Sequence, residues 1–281
     1  TEPGLQARLH RMRDQFQNKL YGSNNTMPGG GDALSRYALK FSKEGTMRYI
    51  SHLDLFRLFK RSFKRSGIRL QHSQGFNPHP KMSFAQPLSL GYTSSCEYLE
   101  FETREPYGAE EIMDKLNSVL PEGVSVLSCE ELPAAGKSLA ALTEYASYEV
   151  RFPLDNRFVA PSVESDRTCV DSEPDITVLT ERFLARDRIM ITKHQKKSGK
   201  ELEVDIKPMI AEFSGQVDNK IITLTMKLAA GSTSNLSPEA VLDAFCGFAG
   251  ISRAAESEGE IKRTGLYFRD PSFVDTGKTS R

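Results

Sequence analysis

The sequence predicts an α+β fold of two split βαβ halves in tandem, with antiparallel sheets, behind an N-terminal helix. Three observations predict it. Short segments of alternating apolar and polar residues recur at strand length, and amphipathic stretches at helical spacing interrupt them. The order strand, helix, two or three strands, helix, strand occurs twice. With 38% hydrophobic and 26% charged residues, the chain has enough apolar side chains for a core beneath a polar surface.

Residues 4–20 read as an amphipathic helix, with Leu5, Leu9, Met12, Phe16 and Leu20 three or four residues apart. Gly22 to Gly31 has linker composition. Residues 1–35 are therefore expected to be an appendage, or the remnant of a longer fused chain. The first half, 36–135, opens on the strand Tyr37–Ser42. A turn at Lys43-Glu44-Gly45 leads to a second short strand, Thr46–Ile50. Ser51–Ser66 is a helix stopped by Gly67. Ile68–His72, Met82–Leu90 and Glu97–Thr103 are strands, Gly108–Leu120 is a helix ended by Pro121, and Val124–Cys129 closes the half. Residues 130–143 and 153–174 are connecting loops.

The second half, 144–270, repeats the order. Tyr145–Phe152 is a strand and Ile176–Ala185 a helix. Ile189–Lys193 and Leu202–Ile206 form a hairpin. Ile221–Leu228 is a strand. Ser237–Phe245 is a helix, with Ser237 as N-cap and Pro238 at the first helical position. Lys262–Phe268 closes as a strand, and 271–281 is a flexible tail. This is the ferredoxin-like order. Such sheets keep helices on one face, and an open sheet face is a common platform for RNA.

Composition narrows function by exclusion. Basic and acidic residues number 37 each, so net charge names no partner and the distribution has to be read instead. No apolar run approaches the ~20 residues that span a bilayer. Cys96, Cys129, Cys169 and Cys246 are scattered without a CxxC pair. That argues against a zinc ribbon or a redox motif and suits a reducing compartment. The expected location is the cytoplasm, or an organellar matrix or stroma. His52, His72, His79 and Asp54 have no metal-ligand spacing, and no metal is expected.

Arg48–Gly91 is the densest segment. On the helix Ser51–Ser66, Leu55, Phe56, Phe59 and Phe63 line one face. Arg57, Lys60, Arg61, Lys64 and Arg65 line the other. Like charges at these spacings repel by a few tenths of a kcal/mol per pair. A stripe that costs stability suits an anionic partner, and phosphate backbone is one. Ser51 and Asp54 fit a capping box. His52 sits in the first turn, where helix-terminal amides bind anions. Two prolines bracket His79 in Gly75-Phe76-Asn77-Pro78-His79-Pro80-Lys81, so the loop holds Asn77, His79 and Lys81 in a fixed presentation. Phe76 is read as a core anchor for that loop rather than a base-stacking group. The nucleic-acid-binding candidates are thus Arg48, His52, Arg57, Lys60, Arg61, Lys64, Arg65, Asn77, His79 and Lys81. A smaller basic patch follows at Lys193, His194, Lys196, Lys197, Lys200 and Lys207, with Asp205 expected to pair with one of those lysines or with Arg188.

Tyr37 to Phe101 resembles the radical-SAM-linked protein family, whose members are encoded beside, or fused to, a radical SAM protein with a cobalamin-binding-like domain. The resemblance is carried by Arg48, Ser51-His52-Leu53-Asp54, Arg57, Gly75-Phe76-Asn77-Pro78-His79-Pro80 and Pro87-Leu88-Ser89-Leu90-Gly91. It continues more weakly through Lys193–Pro208 and Gly231–Ala244 to Arg263. It implies association, in cis or in trans, with a radical SAM enzyme, and a role in RNA metabolism, but no reaction. This chain lacks the three-cysteine cluster of such an enzyme. It is expected to bind no cofactor itself, the partner supplying the iron–sulfur cluster and S-adenosylmethionine.

Three functions stand open on the sequence. The first is an RNA-binding or substrate-presenting module, for tRNA or rRNA, serving a radical SAM modification enzyme. The second is an RNA-processing enzyme, endoribonuclease-like or pseudouridine-synthase-like, with His52, Asp54 and His79 as catalytic candidates. The third is a protein-interaction subunit without RNA contact.

Overall fold

A computed structural model of the chain describes residues 35–154, 175–194, 201–251 and 259–269. The N-terminal helix and linker, most of the 153–174 loop, the hairpin tip and the C-terminal tail lie outside the described residues.

The architecture is α+β, with one large, mostly antiparallel sheet and few helices. Ten strands are described: β1 (Ser35–Lys43), β2 (Met82–Phe84), β3 (Thr93–Thr103), β4 (Val124–Leu132), β5 (Thr143–Pro153), β6 (Met190–His194), β7 (Glu201–Asp205), β8 (Ile210–Asp218), β9 (Ile221–Ala229) and β10 (Glu260–Phe268). Five helices accompany them: α1 (His52–Ser66), α2 (Ala109–Asn117), α3 (Leu139–Leu142), α4 (Ile176–Ala185) and α5 (Pro238–Ala249). The large sheet runs β4-β1-β3-β10-β5-β9-β8, with β2 also on β3, while β6 and β7 form a separate ribbon. The first half is thus ordered β4-β1-β3-β2 and the second β10-β5-β9-β8. The two meet where β10 pairs in parallel with β3, Lys262 opposite Thr93 and Arg263 opposite Ser94.

Each half buries its own aromatic core. In the first, the apolar face of α1 lies on β1 and β3. Phe59 meets Phe41 edge-on at 4.8 Å, and Phe63 lies 4.7 Å from Phe101. In the second, Phe183 of α4 and Phe245 of α5 close on Phe213 of β8, at 5.5 and 5.2 Å. Such pairs add about 0.5–1.5 kcal/mol each beyond the area they bury.

Local chemistry explains most boundaries. α1 starts because the Ser51 hydroxyl accepts the Asp54 amide, and it stops at Gly67, whose φ of 79° closes the last turn in the left-handed region. Ser237 caps α5 by accepting from Ala240, with Pro238 next to it.

Several expectations are corrected. Gly45–Tyr49 is a 3-10 turn, not a strand, and none of its residues is buried. Its last carbonyls are taken instead by Lys43 Nζ, which reaches Arg48 O at 3.4 Å and Ile50 O at 3.3 Å. Of Met82–Leu90, only Met82–Phe84 pairs as strand. Ile68–His72 contributes isolated bridges, Leu70 to Thr103 and His72 to Pro80. The stretch 130–143 is not all loop, since β4 extends to Leu132 and α3 follows. β8 was not anticipated.

Candidate functional site

Two neighbouring features carry the predicted site residues: the start and outer face of α1, and the ribbon that follows it. On α1, Leu55, Phe59 and Phe63 are buried and Arg57, Lys60, Arg61, Lys64 and Arg65 are exposed. The five cations are not equivalent. Arg57 pairs with Asp54 at 2.9 Å, and the Ser51 hydroxyl donates to the same carboxylate at 2.7 Å. Those two contacts hold the Asp54 carboxyl below its usual range. Arg65 donates to the carbonyl of Val119, tying α1 to the segment after α2. Lys60, Arg61 and Lys64 make no hydrogen bond or ion pair among the described residues. They are the uncommitted part of the stripe.

His52, half-buried, turns its ring edge to Phe84 at 5.2 Å. Burial holds its pKa below the ordinary value, so the ring is neutral at pH 7. Among the described residues no contact joins it to His79.

Arg48 does something other than wait for phosphate. Its Nε donates to Gly91 O at 2.9 Å, and the Gly91 amide donates back to Arg48 O at 2.8 Å. Arg48 therefore fastens Pro87–Gly91 to the turn before α1.

The ribbon forms because two backbone bonds pair its arms, Ser73 N to His79 O and Lys81 N to Gln71 O, both 2.8 Å. The His79 amide adds a bond to Ser73 Oγ at 3.0 Å. Gly75, with φ of 140°, makes the turn. Asn77 and His79 are exposed, and Lys81 pairs with Glu102 at 2.7 Å. Phe76 is not a core anchor: its relative exposure is 108%, so none of the described residues covers it.

A second constellation was not found from sequence. The register places Lys43 opposite Ser94, Ser94 opposite Arg263, and Arg263 opposite Tyr148, a row across four strands where the halves join. A register shift between Phe41 and Lys43 brings Lys43 opposite Ser94, and Glu97, opposite Phe41, stands beside the same row. Arg263 NH1 lies 3.0 Å from both Glu97 oxygens, each residue being about 97% buried. The same guanidinium donates to Gln86 O, Pro87 O and Tyr148 Oη at 3.2, 3.0 and 3.3 Å. Burial lowers the Lys43 pKa. Arg263 Nε, Tyr92 Oη and Thr93 Oγ1 are buried without a partner among the described residues. The resemblance had reached Arg263 by position alone. Lys43 sits in what reads as a charged turn.

In the second half, Asp205 forms no ion pair with Lys193, Lys207 or Arg188 among the described residues. Its carboxylate accepts the amides of Ile189 and Lys207, both at 3.0 Å. Lys207 Nζ donates to Arg186 O. Lys196, Lys197 and Lys200 lie outside the described residues, as does the His194 side chain. Among the described residues no group of His, Cys, Asp or Glu is placed to hold a metal ion, and no helix is long and apolar enough to cross a membrane.

No curated protein matches the chain. The crystal structure of an unknown protein from Galdieria sulphuraria is similar at 10% identity, covering 81% of this chain and 98% of that one, with a TM-score of 0.23. A family described as "Uncharacterized protein conserved in bacteria" (DUF2344) matches residues 36–238, which take in the capped helix, the proline ribbon and the Pro87–Gly91 loop. The chain belongs to that family.

Proposed function

We propose that this chain is an RNA-binding module, that it presents RNA to a radical SAM modification enzyme, and that each half is a ferredoxin-like unit. The observation carrying the RNA reading is the uncommitted trio Lys60, Arg61 and Lys64. They are exposed, lie opposite the buried Leu55, Phe59 and Phe63, and make no ion pair among the described residues. A polyanion removes their mutual repulsion, and phosphates docked there release counterions. The ferredoxin-like reading is supported by the strand orders. Counting only its strands in the large sheet, each half runs fourth, first, third, second; β6 and β7 of the second half stand outside that count. The partnership rests on the motif resemblance at Ser51–Asp54, Gly75–Pro80 and Pro87–Gly91.

The test is binding of labelled RNA by fluorescence anisotropy across a salt series. Wild-type affinity should fall steeply with salt. Replacing Lys60, Arg61 and Lys64 together with Ala should make the log–log slope shallower by about 2, at roughly 0.7 per phosphate contact on a single strand. Absent or salt-insensitive binding would refute the reading. Affinity capture with the radical SAM protein as bait tests the partnership separately.

A further inference from the structure

We infer that Phe76 is a stacking platform for one unpaired nucleobase, so that the RNA this chain selects is single-stranded or looped rather than duplex. The inference rests on the RNA-binding reading above and names the form of RNA.

Four observations carry it. First, Phe76 is uncovered, with a relative exposure of 108%. A phenylalanine left in water forgoes the roughly 1.5–3 kcal/mol that burial would bring. Secondly, the position is fixed. The arms are hydrogen-bonded at Ser73–His79 and Gln71–Lys81, and Pro78 and Pro80 restrict the returning strand. The backbone that carries the ring thus needs little further ordering when a ligand arrives. Thirdly, its neighbours are Gln74, Gly75, Asn77, Pro78 and His79, all exposed. A single aromatic ring set among amide and imidazole groups suits a flat heterocycle with donors and acceptors on its edge. A protein partner is better served by a contiguous apolar patch. Fourthly, the ribbon follows Lys60, Arg61 and Lys64 closely in sequence, and Arg69 between them is exposed.

Bases inside a duplex already stack on each other, so an outside ring gains nothing from them. A base in a single strand or loop is free to lie on Phe76.

The chain has no tryptophan, so Phe76→Trp makes the tip the sole indole reporter. The full chain is titrated with a single-stranded RNA oligomer of mixed sequence and with the same oligomer annealed to its complement. Anisotropy of labelled RNA gives affinity, and indole emission reports stacking. Phe76→Ala should weaken single-strand binding about tenfold, leaving duplex binding and the salt slope unchanged. The position is fully exposed, and circular dichroism checks that Phe76→Ala folds as wild type does. Indole emission of Phe76→Trp should be quenched by the single strand and not by the duplex. If wild type binds RNA in the salt-dependent way described but Phe76→Ala matches it and no quenching occurs, the stacking inference is overturned and the RNA reading stands. If wild type binds neither form at low salt, both fall.

Discussion

Arg263 shows how much one side chain decides. It is buried beside Glu97 in an ion pair and donates to two carbonyls of the loop that Arg48 grips from the other side. Removing one partner of a buried pair strands the other charge, at a cost of about 3–5 kcal/mol. Urea denaturation should find Arg263→Met destabilised by that order, and Glu97→Leu combined with it should recover part of the loss. A double variant no more stable than Arg263→Met would show that the pair is not the unit that matters. Cys129 offers a second check. Burial pushes its thiol up to about 12, so native protein at pH 8 should resist alkylation there while denatured protein reacts, as peptide-resolved mass spectrometry would show. At this scale the sequence was legible where chemistry is local, as in the cap formed by Ser51 and Asp54. It was illegible where partners are distant. Lys43 looks like a turn cation because Ser94 and Arg263, its neighbours on the sheet, stand far along the chain. Phe76 looks like core because an exposed phenylalanine on a rigid ribbon is rare.

At the scale of the element, α1 separates stability from surface chemistry. Phe59→Ala should cost about 3–5 kcal/mol, since Phe59 packs on both Phe41 and Phe84. Lys60→Ala or Lys64→Ala should change stability by less than about 0.5 kcal/mol. Thermal or urea denaturation of the three variants checks both statements. The cap adds a pH signature. The Asp54 carboxyl is held below its ordinary value of 3.8 by the Ser51 hydroxyl and by Arg57. Its contribution is therefore full above that ordinary value and is lost as pH falls through the lower, folded-state value. Asp54→Asn should be less stable than wild type at neutral pH, with the gap closing in acid. A gap that persists in acid would assign the effect to something other than the charge. The helices were readable because a 3.6-residue period and caps leave local marks, and Ile176–Ala185 has the expected bounds. β8 was not readable. Among its nine residues only Phe213 is buried, and Gly215 interrupts the pattern, as suits an outer strand.

For the whole molecule, the joint between β3 and β10 completes one large sheet. One buried cluster takes residues from both sides of that joint, Ala85, Leu88 and Tyr92 with Val150 and Leu224, and the row Lys43, Ser94, Arg263, Tyr148 crosses it as well. Unfolding should therefore be one cooperative transition. Arg263→Met should raise amide hydrogen exchange in β1 and β5 together rather than in one half alone. Most of the helices and strands were legible in the sequence. Their merger into a single sheet was not, because only two residue pairs make the parallel seam and neither announces its partner.

That seam has a consequence for the order in which the protein is made. β10 is the last described strand to be synthesised, yet it occupies the middle of the large sheet, between β3 and β5. Until residue 268 has left the ribosome, a nascent chain presents two open strand edges where the finished protein has none, with the Glu97 carboxylate lacking its guanidinium. A nonsense mutation upstream of Glu260 would leave those edges open for good, so truncated products should be aggregation-prone even though most of the residues are present.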